Sequence, residues 1–351
     1  MPRLRAAAGL AGCVAVLVLV AGCGSPASTS APPTSAVPTP AASAVPTPSP
    51  SPAATVPTAS PVLADACVIG PGADATAVDP TVDVVQALES AGFRVRTGVA
   101  DTEDQVPETA TGLLATRCAL VMSVYEPYAD QLVAVAQAHP DLPVAAAGIT
   151  SSSTLPANVT RLGFDVGSAA FVAGYLAAGA SSSGRLGALG LADDPEAERL
   201  ARSFVAGARY RASQTGTDVS VLGSSRRAAD DRAAERLLRR WARSGVDVAF
   251  TASPGLSRLA PVARQQRIGI GLEQERNPSA LGWLVTDPAV SAVAVAQRVA
   301  DGLYVGGDVD GTLADGGVRL EVGDVPPRLR TQVSAVANDV ASGRLATDPG
   351  D

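Results

Sequence analysis

Short apolar runs alternate with longer amphipathic stretches from about residue 64 to the end of the chain. The short runs read as buried strands and the longer stretches as helices with one face on a core. Strands are expected at 67–70, 93–99, 119–124, 143–147, 161–164, 186–189, 219–222, 246–251, 267–270, 281–285 and 318–322. Helices fill most of the intervals. In PEAERLARSFVAGARYRASQTG and DDRAAERLLRRWARSGVD, apolar residues recur at i, i+3, i+4 and i+7 opposite arginines and carboxylates. The second of these opens on Asp230 and Asp231 and closes on Arg239, Arg240 and Arg243, which complements the helix dipole, and Gly245 supplies the stop. Its arginines therefore form a solvated helix face and not a binding patch. Alternating strands and helices joined by short connections make parallel sheets flanked by helices, and these strands are too many for one sheet of a small lobe. The expected fold class is α/β, with two doubly wound parallel-sheet lobes. Ligands of such sheets lie beyond the carboxyl ends of the strands, which in a two-lobed chain face each other across a cleft.

The first 63 residues follow a different pattern. A run from Ala6 to Ala21, preceded by Arg3 and Arg5, is shorter than the about 20 apolar residues of a spanning helix and has the form of a secretory signal. It ends in Leu19, Val20, Ala21, Gly22 and Cys23, which resemble a bacterial lipobox and imply lipidation of Cys23. From Gly24 to Leu63, 11 of 40 residues are proline and 23 are Ser, Thr or Ala, so nothing there can bury a core. Such a segment is a tether, able to reach roughly 120 Å if fully extended as polyproline. The expected location is the extracytoplasmic face of the cell membrane, with contact to the membrane through the N-terminal lipid.

Charge and chemistry narrow the function. Acidic residues outnumber basic ones 34 to 27, which argues against a nucleic-acid partner. No lysine occurs, and the single histidine, His139, has no evident catalytic or metal-binding companion. GDVDGTLADGG, with Asp308 and Asp310, resembles the nucleophile motif of haloacid-dehalogenase phosphatases. It lacks a preceding strand and any lysine and is expected to be a turn between helix and strand. No dinucleotide loop, nucleophile elbow or metal-ligand spacing is present, so neither an enzyme, a cofactor nor a metal is expected. Of the two cysteines in the folded part, Cys67 precedes VIG and Cys118 precedes ALVMSV. Both lie before strands expected to be neighbours, and a disulfide is expected between them outside the cytoplasm, two buried thiols being the alternative.

Several segments resemble the basic membrane lipoprotein (BMP) family, substrate-binding lipoproteins of ABC importers that include purine nucleoside receptors. LPANVTRLGFDVGSAAFVAGYLAA, starting at Leu155, resembles the family's NVT, strand and helix succession; SFVAGARY, SGVDVAFTASPG and ADGLYVGGDVDGTLADGGVRL resemble later family segments in the same order. The resemblance runs from about Cys67 to Leu345. It implies a type I periplasmic binding protein whose chain crosses a hinge three times, with lobe 1 at 64–163 and 276–305 and lobe 2 at 164–275 and 306–346, behind a signal at 1–22 and an anchored tether at 23–63. It implies solute capture for ABC permease subunits, with purine nucleoside as the family's ligand.

The family's ligand set is altered in this chain. Gly148 and Gly271 stand where the resemblance places carboxylates, Ala77 and Val78 where it places an aromatic and an amide, and Asp287 lies in the neighbourhood of its lysine. Adenosine, guanosine and inosine are accordingly expected to bind weakly or not at all. The residues remaining near expected strand ends are Asp74, Tyr125, Ser253, Gly255, Glu273 and Asp287, an acidic and hydroxylic set suited to a small polar solute. Asp79 and Asp287 each precede a proline and are natural helix caps as well. A second function class stays open: a binding-protein-like envelope lipoprotein that senses or contacts a partner without serving a transporter.

Overall fold

The computed structural model describes residues 65–73, 79–149, 155–192, 194, 196–223, 227–259, 261–272 and 275–347. The expected signal, tether and Cys23, together with Asp74, Ala77, Val78 and Glu273, lie outside the described residues. No helix among those described is long and apolar enough to cross a membrane.

The first sheet starts with β1 (Asp65–Pro71), whose five central residues are all buried. Alternate side chains go to opposite faces, as the two-residue repeat of a strand requires. Cys67 and Ile69 join a core built with helices α2 (Val106–Leu114) and α3 (Ala129–Ala138), whereas Ala66 and Val68 join another with α1 (Thr81–Ser90) and α7 (Pro288–Ala300). Both faces are thus covered, and β3 (Leu120–Ser123) and β4 (Val144–Ala147) are buried throughout. With β2 (Arg94–Ala100), β5 (Val159–Phe164) and β12 (Gly307–Gly311) they form a parallel sheet in the order β12-β5-β4-β3-β1-β2. Cys67 and Cys118 form a disulfide at a Cα separation of 5.8 Å, tying β1 to the entry of β3.

The second sheet has the order β13-β11-β10-β9-β6-β7, built from β6 (Arg185–Leu191), β7 (Ser220–Leu222), β9 (Val248–Thr251), β10 (Gln266–Gly271), β11 (Gly282–Thr286) and β13 (Val318–Val322). A two-residue strand, β8 (Arg227–Ala228), pairs beside β6. Leu186, Ala188, Phe250, Ile268 and Leu284 face α4 (Val166–Ala180), α5 (Glu196–Thr215) and α8 (Pro327–Ala341). Leu189 and Ala249 face α6 (Asp231–Arg243), which buries Leu238 and Trp241 and leaves its arginines outward. Asp230 caps α6 by accepting from the Ala233 amide at 2.6 Å. Two doubly wound sheets are therefore present, as the alternation of apolar and amphipathic segments predicts.

The chain passes between the sheets after β5, after β11 and after β12. This shifts two expected boundaries. β11 pairs in the second sheet, so the return to the first lobe falls at Asp287 and not at 276, and β12 pairs in the first, so the last crossing follows Gly311 and not 305. β12 also corrects the expected turn at Asp308 and Asp310: glycine and aspartate are poor strand formers, but backbone pairing with β5 and burial of Val309 hold the segment as an edge strand. β13 runs antiparallel to β11 because its chain arrives from the carboxyl end of β12 and enters the second sheet at its cleft end.

Below the second sheet, at the start of β9, Asp247 accepts from Ser181 Oγ at 2.6 Å, from Ser182 N and Oγ at 2.7 and 2.8 Å, and from Ser183 N at 3.0 Å. Burial pushes its carboxyl up, but the hydrogen bonds from Ser181, Ser182 and Ser183 outweigh that and hold it below the ordinary 3.8. A carboxylate lowered in the folded state adds stability above its unfolded value and loses it as pH falls through the folded one. Asp247→Asn is expected to lower stability by about 1–2 kcal/mol at pH 7. The difference from wild type should shrink below about pH 4; urea unfolding of both proteins at pH 7 and pH 3 checks it, and an equal gap at the two values would contradict it.

Candidate functional site

The carboxyl ends of β3, β4, β5, β9, β10 and β11 converge on a cavity of about 500 Å³. Beyond β3, Tyr125 and Glu126 enter a short turn, Glu126–Tyr128, that contains Pro127. The turn is anchored by Tyr128, which is buried, meets Tyr125 edge-on at 4.9 Å and donates its hydroxyl to the Ala100 carbonyl. Burial first, then Tyr125 and the carboxylates of Asp101, Asp79 and Glu103, push the Tyr128 hydroxyl above its ordinary range, so it stays a donor. Beyond β4, Gly148 has φ +80, and a Cβ there would lie 2.6 Å from Cβ of Glu126. The missing side chain is what lets Glu126 sit at the mouth of the cleft. Phe164, the last residue of β5, lines the cavity as well.

The second lobe repeats this device. Gly271 ends β10, and a Cβ on it would lie 2.5 Å from Oε2 of Glu275. That oxygen accepts from the Leu272 amide at 3.0 Å, while Oε1 forms an ion pair with Arg258 on the short turn Pro254–Arg258 that follows β9. The Glu275 side chain is only 12% exposed whereas that of Arg258 is 63% exposed, so the arginine brings its charge from the solvent side. At both glycines a glutamate fills the room where a strand-end side chain would stand, Glu126 from the loop after the adjacent β3 and Glu275 from four residues further along the same segment.

The expected site residues distribute unevenly. Tyr125 lines the cavity. Ser253 does not: it is 1% exposed, and its hydroxyl accepts from the Leu191 amide at 2.9 Å, locking the end of β6 to the loop after β9. Gly255 lies exposed on the turn before Arg258 and is outside the cavity lining. Asp287 caps α7, accepting from the Ala289 amide at 3.0 Å, and pairs with Arg319 at 3.7 Å; it lines a neighbouring cavity of about 480 Å³ with Asp83, Gln86 and Ser90 of α1. Asp79 likewise accepts from the Thr81 amide at 2.9 Å at the start of α1. Asp287 thus caps α7 one residue ahead of Pro288, whereas Asp79 stands one residue before the N-cap of α1, Pro80, and holds the amide of its first residue. The described cavity wall is mixed and not uniformly acidic: Tyr125, Phe164 and four prolines accompany Glu126, Arg258 and Glu275. Strand-end reasoning could have found Phe164, but Arg258 and Glu275 stand several residues past β9 and β10, where only the folded loops bring them back. Among the described residues no group of three or more His, Cys, Asp or Glu side chains is placed to hold a metal ion.

A comparison with solved structures recovers this architecture. A solute-binding protein of an ABC transporter system from Conexibacter woesei superposes with a TM-score of 0.57 at 18% identity, over 81% of this chain and 98% of that one. Another from Aeropyrum pernix gives 0.52 at 16% identity, over 81% and 92%. A transcriptional activator of the comK gene from Bacillus halodurans gives 0.60 at 20% identity, over 80% and 98%. At these identities the likeness shows the fold, that of type I periplasmic binding proteins. No curated protein matches the chain in sequence. The model of the Bmp family, described as ABC transporter substrate-binding protein PnrA-like, matches residues 89–340, a span holding both sheets' cleft loops except those after β1. Members of that family are extracytoplasmic solute receptors and not enzymes, and the chain belongs to it: it is a Bmp-type, PnrA-like substrate-binding protein.

Proposed function

We propose that the chain captures a small solute between its two lobes and delivers it to the permease of an ABC importer, while held outside the cytoplasmic membrane by a lipid on Cys23. The observation that carries this reading is the cavity of about 500 Å³ at the carboxyl ends of strands from both sheets, lined by residues at the crossings that follow β5 and β11. Contacts from Tyr125, Glu126 and Phe164 on one side and Arg258 and Glu275 on the other are complete only when the lobes close, so a bound solute shifts the population toward closure. Asp74 and Glu273, which follow β1 and β10 in the sequence, are proposed to add polar contacts to the same solute. The lipobox at 19–23, the uncharged spacer and the disulfide, a bond of oxidising compartments, support the external location.

A thermal-shift screen of the full chain against nucleosides, sugars, amines and amino acids tests the binding step. A solute at 100 times its Kd is expected to add about 2.7 kcal/mol to the unfolding free energy, while adenosine, guanosine and inosine are expected to give little or no shift. Submicromolar binding of a purine nucleoside would overturn the ligand part. Absence of any shift across all four classes would overturn solute capture and favour the sensing or partner-contact function. Mass spectrometry of the mature N-terminus decides the anchor: a diacylglyceryl Cys23 supports it, and an unmodified N-terminus downstream of Cys23 refutes it.

A further inference from the structure

We infer that the solute is a small organic monocation with an aromatic or aliphatic body, its charge met by Glu126; this rests on the proposal that the cleft is a solute site. The charged side chains in the described wall are Glu126, Arg258 and Glu275, two negative and one positive, which leaves one net negative charge. Glu275 is already satisfied, by the Leu272 amide and by Arg258, and is largely buried. Within the described wall the surplus therefore resides on Glu126, which is exposed and has no ion-pair partner among the described residues.

Among the described residues its position is fixed without engaging its carboxylate. Gly148 gives it room, Pro127 stiffens the turn that carries it, and Tyr128 pins that turn to the Ala100 carbonyl. A side chain prepared in this way loses little freedom on pairing with a ligand. The surroundings select the rest of the molecule. Tyr125 and Phe164 bring aromatic rings, whose faces attract ammonium groups, and Pro127, Pro254 and Leu272 offer apolar surface without side-chain hydrogen-bond partners for sugar hydroxyls. An anionic solute would have to bring its charge against Glu126 or break the Arg258 and Glu275 pair, so the wall discriminates by sign.

Calorimetric titration of the full chain with phenethylammonium and benzyltrimethylammonium chloride, and with phenylacetate and 2-phenylethanol as anionic and neutral counterparts, tests the assignment. Both cations are expected to bind, with phenylacetate and 2-phenylethanol weaker by about tenfold or more. Glu126→Gln, at an exposed position whose loss leaves the fold intact, should weaken the cations by about tenfold or more and leave the neutral probe unchanged. Phenylacetate binding as tightly as the cations, or cation binding untouched by Glu126→Gln, would overturn the inference. Cleft binding confined to sugars or nucleosides would overturn it while leaving solute capture standing, whereas no binding by any class would remove both.

Discussion

Replacing Cys67 and Cys118 together by serine is expected to lower the unfolding free energy by about 4 kcal/mol. The bond closes a loop of 51 residues, which holds α1, β2 and α2 between β1 and the entry of β3. Most of its effect comes from limiting the unfolded chain, and a loop of that length sits near the middle of the range. The folded state adds a smaller cost of its own. Cys67 is fully buried among Val121, Leu132 and Val144, and serine is close to cysteine in size, so the substitution adds a buried hydroxyl but no cavity of consequence. Denaturant unfolding of wild type and double variant, the wild type also under reductant, measures the change. A loss under about 1 kcal/mol would show that the crosslink contributes little beyond the packing around it.

Alanine at Gly207 is expected to be as damaging, by about 3 kcal/mol or more. Helices α4 and α5 cross with their backbones in contact. A Cβ at Gly207 would stand 1.8 Å from the Phe171 carbonyl oxygen, and one at Gly174 would stand 1.9 Å from the Phe204 carbonyl oxygen. Each helix therefore presents a glycine to the other's main chain, and a carbonyl, unlike a long side chain, cannot swing away. Alanine would force the axes apart by roughly 1.5 Å to reach an ordinary contact. α4 cannot absorb that shift, since its residues from Ala169 to Ala177 are all buried, between α5, α8 and the strands of the second sheet. Gly112→Ala serves as the control, because nothing lies within 4 Å of the added carbon in the last turn of α2, and there up to about 0.5–1 kcal/mol should be gained. Gly207→Ala within about 1 kcal/mol of wild type would contradict the close crossing.

The α/β class and the two-lobed division are legible in the sequence because parallel strands buried on both faces read as unbroken apolar runs, such as VIG after Cys67 and ALVM after Cys118. Two strands escape that signal for physical reasons. β8 is two residues long, and β12 is written GDVDG, with Val309 and Gly311 buried and its order supplied by β5 and not by its own composition. The boundaries at 276 and 306 miss for the same reason: which sheet a strand joins is a matter of partners, and neither β11 nor β12 declares its partner in its residues. At the cleft, Gly148 and Gly271 stand out as missing carboxylates, but their consequence needs the fold. Glu126 and Glu275 occupy the space beside them, and the second reaches it only through the backward turn that also brings it to Arg258. Asp287, one residue beyond β11, looked equally well placed by counting from a strand end, yet its carboxylate is spent on the Ala289 amide and on Arg319.

The central claim is that this cleft, and no other surface, holds the solute. Calorimetric titration of the solute that stabilises the wild-type chain most, into a variant carrying both Tyr125→Ala and Phe164→Ala, tests it most directly. Both rings line the cavity and are partly buried, Tyr125 against the core of the first sheet and Phe164 against that of the second, so urea unfolding of the variant is measured first to show that it is folded. The account predicts one site in the wild type and a loss of about tenfold or more in affinity in the variant. Unchanged affinity with both rings removed would place the solute elsewhere and contradict the account.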